Sequence, residues 1–179
     1  VAWRRMISQH SGRDERPSAV HAHRFPSAGR GPWAHVPDHE WNDAGWQLRH
    51  RITTLEQLEP LLALTPEERE GVLFTRGKLA MAITPYFFNL VEHDPDGPVR
   101  LQVIPRLAET RVNPGEMSDP CGEDGSMAAP GLVHRYPDRV LFLVTDRCAA
   151  YCRYCTRSRV VSGAGEQHLD TDHEAALAY

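Results

Sequence analysis

Three cysteines that lie close together are the residues of this chain best suited to chemistry. Cys148, Cys152 and Cys155 form a CxxxCxxC pattern directly after the apolar run 140–144. Cysteine thiolates are the usual protein ligands of iron–sulfur clusters, and a complete protein ligand set needs four of them. Three thiolates on one short loop can therefore hold three irons of a [4Fe–4S] cluster and leave the fourth iron open.

Two other uses of these cysteines remain open. A structural zinc site needs four ligands, so Cys121, His134 or His168 would have to supply the fourth. A disulfide framework is less favoured, because cysteines at such short spacings suit a metal better than a cross-link. Cys121 itself lies in a polar stretch, and we interpret it as an exposed or incidental thiol.

The cysteine pattern resembles the radical S-adenosylmethionine superfamily, and Tyr154, directly before the last cysteine, is part of the resemblance. In that superfamily the open iron chelates the amino and carboxylate groups of S-adenosylmethionine. An electron from the cluster then cleaves a carbon–sulfur bond and gives a 5′-deoxyadenosyl radical. The resemblance implies that Tyr154 lies near the cluster and S-adenosylmethionine.

Composition narrows the class of protein. The chain has 179 residues, of which 41% are apolar, enough for the core of one ordinary domain. A net charge of −4 and a pI near 6.2 argue against a nucleic-acid partner, which requires a basic face. No apolar run reaches the roughly 18 residues of a membrane helix, and no signal peptide is recognisable. We therefore expect a cytoplasmic protein without a membrane partner.

Hydrophobic patterning divides the chain into four parts. Residues 1–40 are rich in Arg, His, Ser, Gly and Pro, which predicts a flexible leader. Residues 41–93 have apolar side chains at helical spacing and predict an N-terminal helical domain. Residues 94–130 are dense in Pro, Gly, Asp and Glu and predict an extended connector, with a short helix around 99–111. Residues 131–179 contain the cysteines and predict the start of the core domain.

Capping residues predict where several helices begin. Thr54 and Gln57 have the spacing of a capping box, and Thr65 with Glu68 repeats it around a proline at the first helical position. Thr84 precedes another such proline. Pro60 is expected to kink the first of these helices or to end it early.

The cysteine loop lies between a predicted strand and a predicted helix. The run 139–145 is of strand length and is continuously apolar over 140–144, which predicts a strand buried on both faces of a parallel sheet. A capping box over 171–174 predicts a helix over 175–179. The cysteines then follow the carboxyl end of the strand, where α/β folds place their sites. The expected fold class is α/β: an N-terminal helical region, then the first βα unit of a radical SAM partial (β/α) barrel, truncated.

Three longer segments are similar to lysine 2,3-aminomutases: 46–52, 77–86, and 130–140 leading into the cysteines. The resemblance covers roughly residues 41–179. It implies an isomerase that moves an amino group from C2 to C3 of an amino acid, in the first instance L-lysine to L-β-lysine. The cofactors implied are a [4Fe–4S] cluster, S-adenosylmethionine and pyridoxal 5′-phosphate (PLP). An electron donor such as flavodoxin or ferredoxin and a homo-oligomeric state are also implied.

The resemblance assigns roles to residues around the predicted strand and loop. Arg135 and Arg139 match positions that hold the PLP phosphate, a dianion that a planar guanidinium can bind bidentately. Tyr136 is implied to pack near the cofactor ring, and Arg157 matches the position that binds the substrate carboxylate. Without the resemblance, Arg135 and Arg139 would be interpreted as surface arginines. Arg153 is interpreted either as lining the cavity that would hold the substrate carboxylate or as a solvated charge.

The chain also departs from the family pattern. The lysine that anchors PLP lies far beyond the cysteines in the family, whereas the single lysine here is Lys78. The remaining barrel strands and the glycine-rich segment that contacts S-adenosylmethionine are not recognised in this sequence. We therefore expect this stretch alone to be inactive. Two alternatives remain open: a glutamate or other amino-acid 2,3-aminomutase, and a non-catalytic iron–sulfur or zinc-binding module.

Overall fold

The computed structural model describes residues 29–75, 79–111, 113–161 and 170–179. Short helices come first, a small sheet follows them, and two more short helices come after the sheet. The helices are α1 Asp38–Trp41, α2 Ala44–Arg49, α3 Leu55–Leu58, α4 Pro66–Phe74, α5 Pro85–Phe88, α6 Pro98–Val103, α7 Ser158–Val161 and α8 His173–Ala178. The strands are β1 Met127–Ala129, β2 Leu132–Tyr136 and β3 Arg139–Phe142. Residues 1–28 of the predicted leader, Lys78 and His168 lie outside the described residues.

The predicted starts of α3, α4 and α5 are confirmed. Thr54 caps α3 and Thr65 caps α4, each in a complete capping box with Gln57 or Glu68. Thr84 caps α5, since its side-chain oxygen accepts a hydrogen bond from the third helical residue. These caps satisfy backbone N–H groups that have no partner within the helix.

Helices α3 to α6 pack on one apolar core. Helix α6, from within the predicted connector, contributes Val103 to it, and Ile104 directly after the helix is also a member. Arg100 of the same helix is also buried and pairs with Glu68 of α4 at 2.7 Å between Nη2 and Oε2. The buried apolar members of this core are Ile52, Leu55, Leu58, Leu62, Val72, Met81, Ile83, Phe88, Val103 and Ile104.

A second, smaller apolar cluster involves residues from the end of the predicted leader. Val36 is buried against Trp41 and Trp46, and the partly buried Trp33 packs against the same group. Trp33 also contacts Phe88 edge to face, with ring centroids 5.7 Å apart. Trp33 and Val36 therefore pack on the helical region.

The sheet is antiparallel, in the order β1-β2-β3. In the β2–β3 hairpin Leu132 pairs with Phe142, and Tyr136 pairs with Arg139 beside the turn. Gly131 joins β1 to β2 at φ +76°, where a Cβ would lie 2.8 Å from the side chain of Thr171. Only glycine meets both conditions without strain.

The strand predicted over 139–145 differs from expectation. It spans Arg139–Phe142 and pairs with β2 in antiparallel fashion. Val140 and Val144 are 47% and 60% exposed. The prediction of a strand buried on both faces of a parallel sheet is therefore wrong for the described residues. A continuous apolar run becomes a doubly buried strand only where other elements cover both of its faces. Among the described residues, the side that carries Val140 and Val144 is left exposed.

The last helix has a different cap from the one predicted. Asp172 rather than Thr171 caps α8, with its Oδ1 accepting from the Ala175 N–H at 2.9 Å. Thr171 instead donates its hydroxyl to the Leu143 carbonyl at 3.1 Å. This contact ties the start of α8 to the residue after β3.

The described residues thus form a mixed α/β arrangement of short helices and a small antiparallel sheet. Among them there is no helix with the length and apolarity that crossing a membrane requires.

Candidate functional site

The cysteine loop is attached to the helical region by backbone hydrogen bonds. The Thr84 N–H donates to the Ala149 carbonyl at 2.9 Å, and the Tyr151 N–H donates to the Ala82 carbonyl at 2.8 Å. Between them Ile83 is fully buried and forms isolated bridges with both Ile52 and Ala150. The first half of the loop is therefore held in register with the helical core.

Arg153 anchors the second half of the loop. Its side chain is 5% exposed and contacts the Glu109 carboxylate with Nε at 3.0 Å and Nη2 at 2.6 Å. It also donates to the carbonyls of Leu79 and Ala80, each at 3.1 Å. The alternative of a solvated charge is therefore wrong. Arg153 is a buried tie between the loop and the helices.

The three cysteines of the loop are half-buried and form no disulfide. Cys152 Sγ accepts a hydrogen bond from Gln102 Nε2 of α6 at 3.2 Å. The Gln102 carbonyl accepts from the Arg153 N–H at 2.8 Å, so this residue contacts the loop twice. Burial raises the pKa of the Cys148 thiol, and the neighbouring sulfurs of Cys155 and Cys152 raise it further.

The donor chemistry of the loop fits an iron–sulfur cluster, because cysteine thiols are the protein ligands of such a group and three of them are free on one loop. Three thiols could hold three irons of a [4Fe–4S] cluster. No three His, Cys, Asp or Glu side chains are gathered into a metal-binding group anywhere in the described ranges. The fit therefore rests on ligand type and loop position. His134, one candidate for a fourth zinc ligand, is hydrogen-bonded to the Tyr179 hydroxyl at 2.6 Å.

A cavity of about 540 Å³ lies against the β2–β3 hairpin. It brings together four residues that the resemblance singled out: Arg135, Tyr136 and Arg139 from the hairpin and Arg157 from the segment after the cysteines. The other residues that line it are Pro120, Cys121, Glu123, Val133, Val140 and Leu141. Residues predicted to hold two different anions thus share one cavity.

Arg135 and Arg139, the two arginines of the β2–β3 hairpin, are exposed to solvent. Arg139 makes two hydrogen bonds to Asp138, Nε to Oδ1 at 2.9 Å and Nη2 to Oδ2 at 2.7 Å. This contact raises the pKa of Arg139 and lowers that of Asp138. The Arg139 guanidinium also lies over the Tyr136 ring, 5.7 Å from its centroid. Arg135 donates to the Cys121 carbonyl and is exposed.

Arg157 is held differently, by a carboxylate within the cavity. Its Nε contacts both Glu123 oxygens, at 3.0 and 3.2 Å, and its Nη2 contacts Oε1 at 2.5 Å. These hydrogen bonds raise the pKa of Arg157. Glu123 was missed by sequence reasoning. Its partner is 34 residues away, and the only signal was an acidic residue in a polar turn.

Tyr151 and Tyr154 belong to the cysteine loop, and the fourth cysteine, Cys121, lies beside the cavity. Tyr154 is 70% exposed and does not line the cavity. Tyr151 lies beneath the Arg51 guanidinium, whose carbon is 5.4 Å from the ring centroid. Cys121 is half-buried and lines the cavity, so its interpretation as an exposed thiol is wrong.

Comparison with known proteins places the chain among aminomutases. It is 50% identical over 125 residues to L-lysine 2,3-aminomutase from Clostridium subterminale, covering 69% of this chain and 30% of that protein. The L-lysine 2,3-aminomutase from Acetoanaerobium sticklandii is 46% identical over 149 residues, covering 82% and 36% respectively. Glutamate 2,3-aminomutase from Clostridioides difficile is 35% identical over 132 residues, covering 73% and 31%. No family model matches the chain.

These relatives share one type of reaction by name, and the chain is a member of the amino-acid 2,3-aminomutases. Within that class it belongs to the L-lysine 2,3-aminomutase family, since several lysine enzymes are 44% to 50% identical to it. The chain spans about a third of the length of the curated relatives it matches. The resemblance predicted from the sequence is confirmed.

Proposed function

We propose that the protein works as a radical S-adenosylmethionine 2,3-aminomutase that converts L-lysine to L-β-lysine. The observation that carries this proposal is the shared cavity of Arg135, Tyr136, Arg139 and Arg157, directly beyond a loop with three free cysteines. Lysine is favoured as the substrate because the lysine enzymes are up to 50% identical to this chain and the glutamate enzyme is 35% identical.

Cys148, Cys152 and Cys155 would hold a [4Fe–4S] cluster with one iron open to S-adenosylmethionine. We infer that the complete protein has the radical SAM partial (β/α) barrel, with the cysteines after β3. When bound, the cluster and S-adenosylmethionine supply hydrogen-atom abstraction, and PLP supplies electron delocalisation for the amino migration. The loop needs reduced thiols, which fits the cytoplasm.

The arginines of the cavity would bind the two anions of the reaction. Arg135 and Arg139 are exposed guanidiniums at the end of the hairpin, where a phosphate dianion can accept several charge-assisted hydrogen bonds. Tyr136 lies between them in sequence and would pack beside the PLP ring. Arg157 would bind the α-carboxylate of the amino acid and fix which of its carbons faces the radical source. Tyr154 would lie at the cluster side.

The test uses the complete gene product, reconstituted anaerobically with iron, sulfide, PLP and S-adenosylmethionine and reduced by flavodoxin or ferredoxin. L-lysine is expected to yield L-β-lysine, and Cys152→Ala is expected to abolish both turnover and cluster iron. Cys121→Ala is the matched control for cluster content, because Cys121 lies outside the CxxxCxxC loop. Absence of any β-amino acid from a fully loaded enzyme contradicts the proposal.

A second candidate is a glutamate 2,3-aminomutase, because a relative of that name matches 73% of the chain. Both enzymes would use the same α-carboxylate contact at Arg157, so this contact does not separate them. Competition between L-lysine and L-glutamate for the complete enzyme separates them directly. The preferred amino acid is the one with the higher kcat/KM.

A further inference from the structure

Glu123 lines the same cavity as Arg157 and pairs with its guanidinium. It is 6% exposed, lines the cavity, and accepts hydrogen bonds from Arg157 with both oxygens. We propose that Glu123 is the positioning residue of Arg157 and holds one edge of its guanidinium so that the remaining nitrogen meets the substrate carboxylate. This inference rests on the proposed function, in which Arg157 binds that carboxylate.

The guanidinium geometry allows both contacts at once. Its five N–H donors point outward in a plane, so one edge can bind one carboxylate while other donors stay free for a second anion. Glu123 uses only Nε and Nη2. Nη1 makes no hydrogen bond within the described ranges, and the Arg157 side chain is 38% exposed beside the cavity. One edge of Arg157 is therefore fixed and Nη1 is available.

Glu123 is itself held in place by its own turn. The Ser126 N–H donates to the Glu123 carbonyl at 3.0 Å, and the Asp124 N–H donates to Asp119 Oδ2 at 2.9 Å. Arg159, two residues after Arg157, contacts both oxygens of Asp124 at 2.9 Å. Two arginines thus bind one acidic turn, which fixes the segment after the cysteines to it.

The opposite role for Glu123 is competition with the substrate carboxylate for Arg157. The two roles predict opposite effects of removing the charge. If Glu123 positions Arg157, its loss releases the guanidinium and weakens binding of the amino acid. If Glu123 competes, its loss frees the better edge of the guanidinium and strengthens binding.

The experiment compares wild type, Glu123→Gln, Glu123→Asp and the control Glu116→Gln in the complete, cofactor-loaded gene product. Glu116 is exposed, bonds to the neighbouring Asn113 and lines no part of this cavity. Calorimetric titration measures binding of L-lysine and of 1,5-diaminopentane, which is the same molecule without the carboxylate. We expect Glu123→Gln to weaken L-lysine binding by roughly tenfold to a hundredfold. Binding of the diamine should stay unchanged, and Glu116→Gln should match wild type.

Glu123→Asp keeps the charge on a shorter side chain and should restore part of the lost affinity, which also covers the case that Glu123→Gln does not fold. Thermal unfolding checks the fold of each variant. The positioning role is overturned if Glu123→Gln binds L-lysine as tightly as wild type or more tightly. It is also overturned if both ligands lose affinity equally, because that is the result of a purely structural role.

A second readout separates this inference from the proposed function. Acetate is titrated against protein with ¹⁵N-labelled arginine, and the Arg157 Nε–H signal is followed. We expect a saturable shift in wild type that is lost in Glu123→Gln. If wild type binds no amino acid, the proposed function fails, and the acetate titration still decides the role of Glu123. Equal saturation in wild type and Glu123→Gln rejects it.

Discussion

Single arginine residues differ in what they leave free for a ligand. Arg153 is 5% exposed and uses its donors on Glu109 and two backbone carbonyls. Arg157 uses one edge on Glu123, and Arg139 uses one edge on its neighbour Asp138. A guanidinium can bind a second anion only through donors that the first partner does not use. Arg139 and Arg157 therefore have donors available to ligands in the cavity, whereas Arg153 is committed to structure.

Replacing Arg139 with glutamine should weaken PLP binding by about tenfold or more, since a hydrogen bond to a charged group contributes about 1.5–3 kcal/mol. Absorbance titration of the complete apoprotein with PLP measures this affinity. Arg69→Gln is the control, because Arg69 pairs with Glu59 and lines no part of the cavity. Equal PLP affinity in Arg139→Gln and wild type contradicts a phosphate role for Arg139.

Gln102 is expected to tune a cluster held by Cys152. Its Nε2 lies 3.2 Å from Cys152 Sγ, and hydrogen bonds to cluster sulfurs favour the reduced, more negative state. Gln102→Met keeps the shape of the side chain and removes the donor, so it should make the reduction potential more negative. A redox titration followed by EPR measures the potential. An unchanged potential in a variant with full iron content contradicts this role.

At the scale of elements, a buried ion pair joins α4 to α6. Arg100 contacts Glu68 through Nε and Nη2, each at 2.7 Å, and both side chains are 1% exposed. Arg100 also donates to the carbonyls of Ala63 and His93. Burial raises the pKa of Glu68, but hydrogen bonds from Arg100 and Thr65 lower it more, so its pKa lies below the ordinary 4.5.

This pair gives the stability a defined pH dependence. Because the pKa of Glu68 is lower in the folded state than in the unfolded state, its contribution is complete above pH 4.5 and is lost as the pH falls through the folded value. Urea unfolding of wild type from about pH 7 to about pH 3 should show this loss. Glu68→Gln should lack it, and at neutral pH should cost about 3–5 kcal/mol because Arg100 loses its partner. Parallel pH curves for the two proteins contradict the assignment.

The turn between β1 and β2 requires glycine. Gly131→Ala should cost about 1–3 kcal/mol, because φ is +76° and the new Cβ would lie 2.8 Å from Thr171. Gly125→Ala is the matched control, since no heavy atom lies within 4 Å of a Cβ there and its φ is not positive. Thermal or urea unfolding compares the two variants. Equal stability of both would show that the turn tolerates a side chain.

The helix starts and ends that the sequence predicted correctly depend on residues close by in the chain. Thr54, Thr65 and Thr84 act through partners within a few residues, so their caps were predictable. Helix α3 ends at Leu58, just before Pro60, because proline lacks the N–H that a longer helix needs. The cap of α8 was placed one residue early, because Thr171 bonds to Leu143 from a distant part of the chain.

Prediction failed where the answer depended on distant partners. The apolar run before the cysteines indicated a strand correctly, but burial and pairing depend on what packs against it. The Arg157–Glu123 contact spans 34 residues and Arg153–Glu109 spans 44, and nothing in the local sequence specifies either pairing. The candidate roles of Arg135, Tyr136, Arg139 and Arg157 came from the family resemblance, and only the structure showed that these four residues share a cavity.

At the scale of the whole molecule, the cysteine loop connects the helical region with the hairpin cavity. Its first half bonds to residues 82 and 84, and Arg153 ties its second half to Glu109. Arg157 then extends from the loop into the cavity beside the hairpin arginines. A cluster on the loop and a cofactor in the cavity would therefore lie on one short, anchored segment of the chain.

Cys148, Cys152 and Cys155 are proposed to hold a [4Fe–4S] cluster with one iron open to S-adenosylmethionine. EPR of the reduced, anaerobically reconstituted gene product, recorded with and without S-adenosylmethionine, tests it most directly. We predict a cluster signal that changes when S-adenosylmethionine is added and that is absent from Cys152→Ala. A cluster signal that stays the same in a well-folded sample, or zinc bound by these cysteines in place of iron, would contradict the claim.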